Sequence, residues 1–164
     1  MKKYLTVILL LISVCAGRHS FAQSISFFNL TNLTNLTDGQ AHTYLSLGGI
    51  FKQDYVQQMN GKKIEYFKSK SPKVAPQTIM IGENEIQANG TILRTVRYTT
   101  QDPQHIVNLI AQAKRAKLVM KFQGQDQANN IYKFDNEFYN ITMLISTNNN
   151  KGSVEVKQKE FIGY

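Results

Sequence analysis

Asp38 and His42 are the first residues whose types and spacing could do chemistry. A carboxylate four residues ahead of an imidazole shares a helix face with it, as an acid–base or metal pair would. A surface pair at a helix start is the plainer reading. His105 follows Asp102 by three residues, but Asp102 is already accounted for as a helix cap. Glu83 and Glu85 flank Asn84. Two carboxylates about 5–10 Å apart would suit glycoside hydrolysis. Nothing in the sequence fixes that separation, and a polar loop explains the pair. No G-x-S-x-G elbow, H-E-x-x-H, P-loop or EF-hand loop occurs. The expectation is a non-catalytic chain without cofactor or metal. A small periplasmic hydrolase using His42 and Asp38 is the alternative.

Lys2 and Lys3 precede an apolar run from Tyr4 to Val14, and Ser20-Phe21-Ala22 closes the segment. A charged start, a short apolar middle and small residues before the end describe a secretory signal peptide over 1–22. The run is short of the roughly 20 apolar residues that a membrane span needs. The expectation is an exported protein starting at Gln23, periplasmic or secreted. The single cysteine, Cys15, follows Val14. A lipidated cysteine calls for a smaller residue there, so a lipoprotein is not expected. Without Cys15 the chain has no thiol for disulfides, zinc or nucleophilic catalysis. About 140 residues remain, enough for one domain held by its own core.

The formal net charge is +8, and removing Lys2, Lys3 and Arg18 takes off three to leave +5. The remaining basicity is densest at Lys62, Lys63, Lys68, Lys70 and Lys73. Such a cluster suits an anionic partner, or equally a solvated edge strand kept from pairing. A nucleic-acid partner is not expected, since no recognised binding motif is present.

Elements must position these residues. The tripeptide repeat Asn29–Thr37 puts an extended N-terminal segment at 23–36. Thr37 with Gln40 fits a capping box, and Ala41, Tyr44 and Leu45 fall on one side of a helix over about 38–47. Gly48-Gly49 ends it. Asp102-Pro103 starts a second helix over about 103–116, with Ile106, Val107, Ile110 and Ala113 as its stripe. Asn60-Gly61 and Asn89-Gly90 mark hairpins joining strands near 51–58, 62–69, 77–87 and 91–100. Leu118, Met120 and Phe122 alternate with Val119, Lys121 and Gln123. A two-residue turn at Asp135-Asn136 would set Phe134 opposite Glu137. Tyr132, Phe134, Tyr139, Ile141, Met143 and Ile145 then face the core, and Lys133, Phe138 and Leu144 face away.

Each helix thus precedes about four strands. The expected fold class is α+β: an antiparallel sheet with two helices on one face, in two tandem α-β-β-β-β units at 37–100 and 101–164. The other face is left to water. Phe138 and Leu144, beside Lys121 and Lys133, are the expected partner-binding residues on it, since exposed apolar groups among basic ones suit a protein or envelope partner. An outer-membrane barrel ending in Phe161-Ile162-Gly163-Tyr164 is disfavoured by the Asp102-Pro103 helix and by short polar strands.

Tyr44-Leu45-Ser46-Leu47-Gly48-Gly49-Ile50-Phe51, Val96-Arg97-Tyr98-Thr99-Thr100 and Lys117-Leu118-Val119 resemble segments of small secreted proteins of Bacteroidota-type bacteria. That resemblance implies no activity. The tandem helix-plus-four-strand arrangement is similar in topology to secreted β-lactamase inhibitory proteins, which implies binding of a protein on the open sheet face.

Overall fold

Among the described residues three helices form, each with a capped N-terminus and buried apolar residues along one side. The structure, a computed structural model, describes residues 25–72 and 75–160. The signal segment, Cys15, Lys73 and the terminal Phe161–Tyr164 lie outside the described residues. Helix α1 spans Phe27–Asn35. The Ser26 hydroxyl accepts from the Asn29 amide and Asn29 Oδ1 accepts from the Ser26 amide, each at 3.1 Å. Phe27, Leu30 and Leu33 are buried along one side. The expected extended segment at 23–36 is therefore corrected to a helix over most of its length: the Asn/Thr repeat has a period of three, which carries a helical stripe. Helix α2 spans Asp38–Leu47, with Thr37 and Gln40 in the expected capping box. Helix α3 spans Pro103–Arg115, capped by Asp102, whose carboxylate accepts from the Gln104 amide at 3.0 Å.

Among the described residues there are eight strands: β1 (Phe51–Met59), β2 (Lys62–Ser69), β3 (Gln77–Ile86), β4 (Ile92–Thr100), β5 (Val119–Gln125), β6 (Asn129–Asp135), β7 (Tyr139–Ser146) and β8 (Gly152–Gln158). They form one open antiparallel sheet in the order β1-β2-β3-β4-β8-β7-β6-β5. Asn60 and Gly61, both at positive φ, make the β1–β2 turn as their sequence requires. All three helices pack on one face, α1 over β4 and β8, α2 over β1 and β3, α3 over β7 and β8. Between them lies the core, with Leu30, Leu33, Phe67, Tyr98, Phe134, Ile141 and Val156 fully buried. The opposite face carries no helix among the described residues.

Two departures from the alternation decide what that open face displays. In the β6–β7 hairpin, Phe134 pairs with Ile141 instead of Glu137, a slip of four residues. Asn136 Oδ1 accepts from the amides of Phe138 and Tyr139 at 2.9 and 2.8 Å, which holds a longer loop. An even slip keeps every inward residue inward, but it moves Phe138 off the strand. The second departure is a bulge at Lys121: Met120 pairs with Phe134, whereas Phe122 pairs with Lys133. Phe122 therefore shares the open face with Lys133 instead of following Met120 inward. A matching bulge at Asp54 in the other edge strand sets Tyr55 opposite Tyr66. A third, in β3, centres on Ile81 and Gly82. Gly82 has φ +93°, and a Cβ there would lie 2.1 Å from the Lys63 carbonyl oxygen.

Candidate functional site: the open sheet face

Cross-strand register assembles the open face from the ladder upward. Tyr55, Tyr66, Met80, Arg97, Glu155, Thr142, Lys133 and Phe122 stand in one row across all eight strands. At one end the Tyr55 and Tyr66 rings stack with centroids 4.2 Å apart, Tyr55 being 51% exposed. In the middle Arg97 donates to Glu155 at 2.7 Å and to Glu83 at 3.2 Å. Partial burial opposes the Arg97 charge, but these carboxylates outweigh it and hold the guanidinium above its ordinary pKa. At the other end Lys133 Nζ sits 5.8 Å from the centroid of Phe122, itself 47% exposed. The Phe122 ring also lies over the bare Cα of Gly124, where a Cβ would come within 2.5 Å of it.

Of the four expected binding residues, two stand in the rows of this face. Lys133 is exposed in the row, Leu144 is half-buried opposite Ser153 in the next row, and Lys121 is the exposed bulge residue of the edge strand. Phe138 is a correction: it is exposed, but in the β6–β7 loop. Sequence alternation missed Tyr55 and Phe122, because bulges invert the period of two. Glu83 and Glu85 stand in β3, within the strand expected near 77–87 and not in a polar loop; there Glu83 meets Arg97 and Glu85 meets Lys157 at 2.8 Å.

A second row runs Lys52, Lys68, Thr78, Thr99, Ser153, Leu144. Its last four members line a cleft of about 550 Å³ that also takes in Asn129, Asn149 and Lys151.

The histidines sit elsewhere. His42 does not pair with Asp38. Its Nδ1 lies 2.6 Å from Oε2 of Glu65, which reaches it from β2. The Asp38 carboxylate instead accepts from Asn84 at 2.9 Å and stands 3.9 Å from Arg94. The Glu65 side chain is 6% exposed. Burial resists its ionisation, but hydrogen bonds from Lys63 and His42 prevail and hold it below the usual carboxylate range. Among the described residues His42 has no other hydrogen-bond partner, so no nucleophile is set against it. An apolar cleft of about 430 Å³ lies between α1, α2 and β1. Neither cleft is lined by Asp38 or His42. His105 is buried, its Nδ1 2.6 Å from the Tyr98 hydroxyl. Burial lowers the His105 pKa and raises that of Tyr98, so both are held neutral. Among the described residues no three His, Cys, Asp or Glu side chains converge as metal ligands. No helix among them is long and apolar enough to cross a membrane. Compared with protein-family models, with curated proteins and with solved structures, the chain matches none.

Proposed function

We propose that the chain is an exported, non-catalytic binding module that docks a protein or envelope partner on the open face of its sheet. The observation that carries this reading is the exposure of Tyr55 and Phe122 on the helix-free face, one at each edge of a central ion-paired strip. Aromatic anchors among charged groups are the composition of binding surfaces. Affinity capture from an envelope extract tests it. A partner retained by the protein and lost from a folded Tyr55→Ser, Phe122→Ser variant supports the reading. Retention by that variant refutes it. The hydrolase alternative loses its proposed dyad, since Asp38 is engaged by Asn84 and Arg94.

The same reading treats 37–100 and 101–164 as two tandem helix-plus-four-strand units, similar in arrangement to β-lactamase inhibitory proteins. Two features support it. Helix α2 precedes β1–β4 as α3 precedes β5–β8. Each outer strand, β1 and β5, carries a mid-strand bulge that turns an aromatic ring to the open face. Helix α1 belongs to neither unit. Export is tested by the N-terminus of the protein recovered from its own cells: Gln23 is expected, and an intact Met1 would end the proposal.

A further inference from the structure

We propose that the Lys52–Lys68 end of the open face, with its adjoining cleft, binds an acidic polysaccharide, its carboxylates on the lysines and its hydroxyls in the cleft. The proposal rests on the open-face reading above and narrows it to a ligand class.

Lys52 and Lys68 are directly opposed across β1 and β2, and both are exposed. Residues so opposed have Cβ atoms about 4.5–5.5 Å apart, where like charges repel. Lys70 lies one step further on the same side and is also exposed. Among the described residues none of the three is paired with a carboxylate. The open-face carboxylates Glu83, Glu85 and Glu155 are committed to Arg97 and Lys157. The face therefore has a surplus of positive charge, three lysines of it at this end. Edge protection accounts for a lysine on β1, the outermost strand. It does not account for Lys68 on β2, whose backbone is paired on both sides.

The groups beside the lysines are uncharged and polar. The row continues from Lys68 into Thr78, Thr99 and Ser153, which line the cleft together with Asn129 and Asn149. Hydroxyls and amides both donate and accept, which matches a ligand made of hydroxyl groups. An acidic peptide fits less well. Extended peptides gain affinity from main-chain pairing at a strand edge. The floor of this cleft is β3, β4, β8 and β7, all internal strands.

Calorimetry at low and raised salt decides the matter, with an oligogalacturonate, its methyl ester and poly-glutamate as probes. The acid form is expected to bind and to weaken with salt. Affinity should fall at least tenfold for the methyl ester, for poly-glutamate, and for the Lys52→Gln, Lys68→Gln variant. That variant should melt no lower than the parent, because it removes a repulsion. Equal binding of poly-glutamate would overturn the polysaccharide in favour of an acidic protein segment. Equal binding of the ester, or no binding at low salt, would overturn the site. If the lysine variant keeps a captured partner that the Tyr55→Ser, Phe122→Ser variant loses, the open-face reading stands and this site falls.

Discussion

Glu65 and His105 both have their ionisation perturbed by the fold, and they act in different pH ranges. Glu65 has its pKa lowered in the folded protein. It therefore contributes stability above its unfolded value of about 4.3, lost as pH falls through the folded value. A Glu65→Gln protein is expected to start with a lower Tm at neutral pH and to lose less of it below about pH 4.3, in melts across that range. His105 has its pKa lowered by burial, with Asp102 opposing. Folding then favours neutral imidazole. Stability is intact above about pH 6.5 and falls as pH drops below it. Melts of His105→Gln between pH 7 and 5 should lack that step. A parallel decline in parent and variant would dismiss the assignment. The helix spacing of Asp38 and His42 is legible in the sequence. The carboxylate that holds His42 is not, because it arrives from β2 through the tertiary fold.

Elements are legible where one local signal governs them, and illegible where two compete. Helix α2 and the Asn60-Gly61 turn follow from caps and turn residues alone. The outer strands do not, because a bulge leaves no sequence mark and inverts everything beyond it. Phe122 shows the result, its ring resting on Gly124. Gly124→Ala is expected to destabilise the parent yet to be nearly neutral in a Phe122→Ser background. A double-mutant cycle should give a coupling of about 1 kcal/mol; additivity would show that the ring does not rest there. The β3 bulge offers a sharper contrast. Gly82 and Gly90 both have positive φ, but only Gly82 has backbone in the path of a Cβ. Gly90→Ala should cost about 1–2 kcal/mol for its backbone conformation. Gly82→Ala should cost more, as chemical denaturation would show, since the Lys63 carbonyl must also move.

At the scale of the whole molecule, the α+β class and the antiparallel sheet were legible from period-two segments and hairpin turns. The pairing of β4 with β8 was not, since no local pattern links strands so far apart in sequence. That pairing has a consequence of its own. β8 follows the other seven strands in the chain, yet it lies between β4 and β7 at the middle of the sheet. A chain broken in the loop at 147–151 and lacking β8 would keep one four-stranded and one three-stranded ribbon, each with a bare inner edge. The gap between them takes one strand, hydrogen-bonded on both sides, with Val154 and Val156 turned to the core. A separate peptide spanning 151–160 has a specific slot to fill, as in donor-strand complementation. The protein thus contains a natural split point, where a short synthetic segment could switch the assembly of the remainder on and off.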